Sequence, residues 1–525
     1  MTHKYLISIG LILNFSLHIL AGETRPGGAE FYPSEPDSNL VIYGRVLDGR
    51  NGSPLPYAHI YVLNRHTGTV SNEQGHYAID ISELSQSDTL RFQYMGYETA
   101  RITIRQLKES PDVMMEENII NLSETLIFGT TPDPRDIVKK VLENKDRNYK
   151  RTTSKRRVFI RDRSNQDITR FKLKYKKSSI PEIDRDMIGM VEEKLPRNFT
   201  SFTDFLGNLY VNKNTEDSVT LKIDPVRMVS LEEEDLSEFE QFTTIFENLF
   251  ENTEGDEYWK VRSGIFGDKI DMDEESDTLV SDTLNVEPSK DSLNQHQWPV
   301  RYYKSGVRYR QAFSTLDNSD QWEFLHNTGR YKYSLAGGTR INGEDVYIID
   351  FEPRHRGHYQ GRMFIAMETY ALVSASFDYA PGKTGIEIEL LGIGYSETGF
   401  GGSVFFEKRD NTYHLKYLSY NSSRDARINR KLMLIKKRER WLFDKTLMEI
   451  KIRLHLAVSM RESVEYLVLE RKEISDEEFS GFEEKKKMDI IYVDQFDDKL
   501  WEGYTIIEPI EQMREYRKQE VGWGF

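Results

Sequence analysis

A mainly β protein is the fold class this sequence predicts, with a small N-terminal β-sandwich, a large curved antiparallel sheet and a few helices. Three observations carry that expectation. Residues 41–104 hold short alternating strands divided by turn-rich segments, and alternation again dominates from about 155 to 475. Hydrophobic content of 38% and aromatic content of 12%, mostly Tyr and Phe, fit strands better than helical bundles or disorder.

Residues 1–22 read as a signal peptide. His3 and Lys4 lead, Tyr5 to Leu20 form an apolar run interrupted by Asn14, Ser16 and His18, and Ala21-Gly22 offers small residues for cleavage. A mature start near Gly22 or Glu23 is therefore expected, with the protein exported and peripheral to the periplasm or outer membrane. The chain has no cysteine, which removes disulfides, a thiol nucleophile and Cys-ligated metal together. Its 525 residues exceed one core. A net charge of −15 argues against nucleic acid as a partner, since phosphate binding needs a basic footprint.

The first folded unit spans 40–108. Ile42, Gly44 and Val46 share one strand face, and the turn Asp48-Gly49-Arg50-Asn51-Gly52-Ser53-Pro54 ends that strand. Ala58, Ile60 and Val62 then alternate with His59 and Tyr61. Asn72-Glu73-Gln74-Gly75 turns into Tyr77-Ala78-Ile79, and Thr89 to Tyr94 alternates again. Gly44 to Asp48 (GRVLD), Pro54 to Ala58 (PLPYA), Asn72 to Tyr77 (NEQGHY) and Met95-Gly96-Tyr97, in this order, resemble the carboxypeptidase-regulatory-like domain, a transthyretin-like β-sandwich. The resemblance implies secretion and an appended module without catalytic residues.

Residues 109–133 read as a linker. A helix follows, with Asp133 as N-cap, Pro134 in the first helical position and Ile137, Val138, Val141 and Leu142 as one apolar stripe, while Lys145 and Arg147 complement its dipole near the end. Residues 134–475 form the helix plus the β-rich domain. Phe171, Leu173 and Tyr175 alternate with Lys172, Lys174 and Lys176. Strands follow at Val346 to Phe351, Met363 to Ala366, Leu372 to Tyr379, Ile386 to Leu391, Tyr413 to Tyr420, Arg440 to Phe443, Leu447 to Val458 and Ser463 to Leu469. A second helix is expected at Glu233 to Asn252, and an acidic insertion at 271–289.

Gly343 to Pro353 (GEDVYIIDFEP) and Gln360 to Phe377, with Glu368-Thr369 at the turn, resemble the LolA-like fold of periplasmic lipoprotein carriers, and Trp259 to Gly267 is another edge of that pattern. The resemblance implies a half-barrel-like sheet with helices across its mouth and a lipid or hydrophobic ligand in the groove. Residues 476–525 read as a C-terminal strap whose Trp501, Tyr504 and Ile507 dock on the sheet. This tail resembles the close of envelope proteins that pair the sandwich module with a β-rich domain.

Motif chemistry is sparse. Gly382-Lys383-Thr384 lacks the first glycine of a phosphate loop, because Phe377 stands there, and Gly392-Ile393-Gly394 lacks the third glycine of a dinucleotide fingerprint. His355 and His358 flank a hairpin loop without an evident third metal ligand. Asp271, Asp273, Glu275, Asp277 and Asp282 mimic a calcium loop, yet Ser276 replaces its turn glycine. No catalytic residue, metal site or cofactor is therefore assigned.

Two binding surfaces remain. Phe239, Phe242, Phe246 and Leu249 on the second helix would line an apolar groove. Residues 150–177 hold twelve Lys or Arg against two acids, and Arg424 to Lys445 is similarly enriched, so Lys172, Lys174 and Lys176 are candidates for an anionic surface. A polar outer sheet face balanced by acidic neighbours is the alternative. The expected function is a non-enzymatic envelope protein that binds an apolar ligand, lipid or partner protein. A structural module bound to an outer-membrane protein partner, or a hydrolase of envelope polymers, are the alternatives, and oligomeric state is left open.

Overall fold

A computed structural model describes residues 41–63, 68–118, 132–195, 197–213, 220–232, 255–263, 266–270, 295–341, 343–441 and 443–516. The expected leader, the helix at 233–252 and the acidic insertion at 271–289 lie outside the described residues.

The sandwich forms as its alternation requires. Its strands are β1 (Val41–Asp48), β2 (His59–Val62), β3 (Gly68–Val70), β4 (His76–Asp80), β5 (Thr89–Gln93), β6 (Ala100–Thr103) and, after the short helix α1 (Ile104–Glu109), β7 (Val113–Met115). They make two sheets, β4-β1-β7 and β3-β2-β5-β6. Ile42, Val46, Ile60, Tyr77, Leu90 and Phe92 fill the space between them. The 72–75 turn is held by Asn72 Oδ1, which accepts from the backbone N–H groups of Gln74 and His76. Gly75 follows at φ +76°, where a Cβ would lie 2.8 Å from the Val46 carbonyl oxygen, so glycine alone suits the position. The β1–β7 pair is parallel, an addition to the antiparallel pattern.

The first helix behaves as read: α2 (Pro134–Glu143) is capped by Asp133, whose side chain accepts from Arg135 N, and buries Ile137, Val138 and Val141. Lys145 and Arg147 do not end it. They belong to a separate turn, α3 (Lys145–Asn148), where Lys145 pairs with Asp317 and Arg147 donates to the Thr369 carbonyl.

The large sheet contains fifteen strands. In chain order these are β8 (Ser154–Ser178), β9 (Asn198–Val211), β10 (Leu221–Glu232), β11 (Glu257–Ser263), β12 (Phe266–Ile270), β13 (Gln295–Pro299), β14 (Tyr331–Ile341), β15 (Glu344–Pro353), β16 (Tyr359–Ala366), β17 (Leu372–Tyr379), β18 (Glu387–Leu390), β19 (Ile393–Arg409), β20 (Thr412–Arg438), β21 (Lys445–Glu473) and β22 (Lys487–Val493). The spatial order is β13-β22-β10-β9-β8-β21-β20-β19-β17-β16-β15-β14, with β18 on β19 and the β11–β12 hairpin on β20. Pairing is antiparallel except at β10–β22. The segments read as separate strands at 447–458 and 463–469 are one strand of 29 residues. The expected strand at Arg440 to Phe443 is not formed by its described residues: Arg440, Trp441 and Phe443 lie in the turn between β20 and β21. Its residues follow the last β20–β21 pair, Arg438↔Lys445, and have no partner strand among the described residues.

The centre of this sheet is covered on both faces. Ile160, Leu418 and Tyr466 face the helical layer of α2, α5 (Val300–Gln311) and α6 (Glu323–His326), where Tyr303, Val307, Phe313, Trp322 and Phe324 complete the core. Phe159, Tyr417 and Leu467 face the opposite way, toward the sandwich and the C-terminal strap. Trp501 meets Phe159 edge-on at 5.6 Å, and Ile507 is fully buried. Trp501 and Ile507 of the tail are thus buried, with Tyr504 partly so.

Beyond this three-layer body the distal halves of β8, β20 and β21 continue as an arm. From Asp425 to Arg438 the chain spans about 40 Å at the usual rise per strand residue. One face of the arm has its own core. Ile168, Leu454, Leu456, Val458 and Ile428 pack against Val191 and Leu195, and Ile450 packs against Ile180, Ile183 and Ile188. Helix α4 (Arg185–Lys194) supplies that cover, started by Asp184, whose side chain accepts from Asp186 N and Met187 N.

Candidate binding surface

The face of the arm opposite α4 is built by strand alternation. Because Leu454, Leu456 and Val458 of β21 turn toward α4, the alternate positions Lys451, Arg453, His455 and Ala457 turn away. Cross-strand register then sets their neighbours. Arg170, Ala457 and Arg427 form one row across β8, β21 and β20. Lys172, His455 and Asn429 form the next, Lys174, Arg453 and Lys431 the third, and Lys177, Lys451 and Met433 the fourth. These rows hold eight cations (Arg170, Lys172, Lys174, Lys177, Arg427, Lys431, Lys451 and Arg453) and no acid. Arg170, Lys172, Lys174, Lys177, Arg427 and Lys431 are exposed.

Acidic compensation sits at the margins. Glu449, one row further on, lies 2.5 Å from Lys177 and 2.8 Å from Lys451, and those lysines hold its carboxyl below the usual range. Glu389 of β18 reaches Arg427 at 3.9 Å. Between the second and third rows Arg453 donates weakly to Asn429 Oδ1, at 3.2 Å. Of the residues expected here, Lys172 and Lys174 belong to the rows. Lys176 is displaced by a bulge, because Tyr175 opposes Ile452 while Lys177 opposes Lys451. Lys177 takes the place in the rows, while Lys176 stays exposed beside it.

The other expected surface, Phe239, Phe242, Phe246 and Leu249, lies outside the described residues, as do the calcium-like carboxylates from Asp271 to Asp282. His358 is engaged by Glu323, with Nδ1 2.7 Å from Oε2, and the His355 carbonyl accepts from Lys383 Nζ at 2.9 Å. Burial works to raise the Glu323 carboxyl, but His358 and Arg330 outweigh it and hold it below the ordinary value. His355, His358, Arg330 and Lys383 line a shallow cleft of about 500 Å³ with Arg356, Gly382 and Thr384, and Glu323 lies buried behind it. Gly382 stands there at φ +76° in the turn between β17 and β18, so the Gly-Lys-Thr triplet makes a strand connection.

A set of charges that alternation alone hides lies inside the body. Arg161 donates to both carboxylate oxygens of Asp204 at 2.8 and 2.7 Å and to the Glu508 carbonyl at 3.1 Å. Both side chains are essentially inaccessible. Glu465, paired across the strands with Arg161, is pushed up to about 7 by burial although Arg161 pulls the other way. Arg163 reaches Glu73 of the sandwich turn at 3.2 Å. The signal for this cluster was present as the polar positions of β8, but burial on a second face depends on the docked sandwich and strap.

A family model, the CarboxypepD_reg-like domain, matches residues 42–127. The N-terminal sandwich is thus a carboxypeptidase-regulatory-like domain, and the curved sheet with helices across one face is the architecture that the LolA-like pattern implies. No curated protein matches the chain. Similar solved structures include the MucA/MucB complex of Pseudomonas aeruginosa, at 9% identity over 62% of this chain and 94% of that one, with a TM-score of 0.15. A DUF1329 family protein from Desulfovibrio piger is 10% identical over 66% of this chain and 98% of its own, with a TM-score of 0.18.

Proposed function

We propose that this chain is an exported, non-catalytic protein of the bacterial cell envelope that binds an anionic lipid surface through the basic face of its arm. One observation carries the reading: the row Lys174, Arg453 and Lys431, with further cations in each row beside it. Like charges directly opposite one another across strands destabilise a sheet. Their concentration on one exposed face of a chain whose net charge is −15 is a cost that an anionic partner would offset.

Three further features support it. The leader pattern at 1–22 and the regulatory-like sandwich both favour export. Among the described residues no helix is long and apolar enough to cross a membrane, which fits peripheral attachment. The buried carboxylates Asp204 and Glu508 are engaged by Arg161 and Arg514 between packed layers, an arrangement suited to holding the body together.

The test is co-sedimentation with vesicles of phosphatidylglycerol and phosphatidylethanolamine. A cation near such a surface contributes about 1 kcal/mol, so K172E/K174E/K431E should lower affinity by roughly two decades or more. Binding by the unmodified protein should also weaken steeply with salt. Equal binding by the variant would reject the reading.

A further inference from the structure

At the end of the basic face the β20–β21 turn presents two large apolar side chains to solvent, Trp441 at 94% and Phe443 at 84% of full exposure. Other exposed hydrophobics of the described residues reach at most 58%. We propose that this turn is a membrane-penetrating tip, inserting Trp441 and Phe443 at the headgroup boundary of an anionic bilayer while the basic face lies on the headgroups. The inference rests on the lipid-surface reading above and adds where, and how deeply, the protein engages.

The turn is held ready for insertion. Glu439 N donates to the Asp256 carbonyl at 2.8 Å, tying the end of β20 to the start of β11. Arg438 bonds Glu257 at 2.6 Å, and Lys436 pairs with the same carboxylate at 2.7 Å. Tyr258 of β11 donates to Asp444 on the other side of the turn. The base of the turn is therefore fastened by charge-assisted hydrogen bonds while its two rings remain uncovered. A rigid base spares the ordering cost that a loose loop would meet on binding.

The surrounding chemistry selects a bilayer over a dry protein pocket. Arg440 precedes Trp441, and Phe443 is followed by Asp444, which Tyr258 engages, and then by Lys445; Arg440 and Lys445 are exposed. Aromatic rings favour the membrane interface, and flanking cations meet anionic headgroups with their stems in the apolar layer. The turn also stands at the far end of an arm about 40 Å long, clear of the three-layer body. An acidic protein partner would match the cations but would leave the two rings without a purpose.

The experiment uses the full chain with equimolar phosphatidylglycerol and phosphatidylethanolamine vesicles, some carrying bromine on the acyl chains. Bromine quenching of tryptophan fluorescence is read for the wild type and for W441F, which keeps an aromatic ring and removes the reporter. The expected result is quenching in the wild type that W441F largely abolishes, and a loss of vesicle affinity of about tenfold or more in W441S/F443S with an unchanged melting temperature. If the protein sediments with the vesicles in a salt-sensitive way, yet Trp441 is not quenched and W441S/F443S binds equally well, the tip inference is overturned and the basic-face reading stands. Failure of the wild type to bind anionic vesicles at all overturns both and points to an acidic protein as the partner.

Discussion

Glu465 is the residue at which charge, burial and pH meet most directly. Burial raises its carboxyl to about 7, against an unfolded value of 4.5. Below pH 4.5 both states are protonated and the residue is neutral to stability. Between 4.5 and 7 the folded chain holds the proton more tightly, so stability falls as pH rises through that window. The full cost is about 3 kcal/mol at the usual conversion between pKa and free energy. Glu465→Gln should therefore gain stability over the wild type progressively from pH 4.5 to 7, and a pH-independent difference in urea melts would contradict this. Asp204→Ala acts in the opposite sense. It leaves the Arg161 guanidinium buried without its bidentate partner, a loss of about 3–5 kcal/mol. The double variant R161M/D204L should be substantially less destabilised than Asp204→Ala alone, as equilibrium unfolding would show. Arg161 lies in the basic run 150–177 and reads as a surface residue from sequence, because strand alternation reports a face and not what packs on it.

At the scale of elements, the arm is the least local feature of the fold. The helix α2 was legible because its cap, its proline and its apolar stripe are neighbours in sequence. The long strands were not. Asn421 to Lys431 contains too many polar residues to read as strand, yet β19 and β21 hydrogen-bond it from both sides through most of that length. A strand can remain polar where its neighbours supply the pairing. The arm's separate core predicts separate stability. Leu456→Ala should cost about 2–4 kcal/mol locally. In hydrogen exchange that loss should appear in β20, β21 and α4 of the arm, with the amides of β15 to β17 unchanged. Uniform acceleration throughout would show that arm and body unfold as one.

At the scale of the whole molecule, the sandwich is expected to carry its own fold, and its core of Ile42, Val46, Leu90 and Phe92 is self-contained. Its outer surface is nevertheless committed to the body. The His59 ring lies 4.0 Å from that of Phe405, Tyr57 lies 5.2 Å from Tyr417, and Asn72 Nδ2 donates to the carbonyls of Glu508 and Pro509. Burial, assisted by Lys416, depresses the His59 imidazole to about 3. An undocked histidine takes up a proton below about 6.5, so docking should weaken as pH falls from there toward 3. In His59→Phe that dependence should diminish, with the rate of proteolysis between the sandwich and α2 as the readout. Identical acid sensitivity in wild type and variant would assign undocking to other groups.

Sequence by itself determined the β-rich class, the sandwich, the capped helix and the aromatic strap, because alternation, turn chemistry and caps are relations between near neighbours in the chain. It also singled out a lysine stripe at 172–176. Only the tertiary structure decided that Lys174 stands beside Arg453 and Lys431, that Trp441 and Phe443 form a turn, and that Arg161 and Glu465 are interior. Each of these depends on partners tens to hundreds of residues away. Sheet register and the docking of one layer on another place residues together, and a side chain's own neighbours in sequence carry no record of what will cover it.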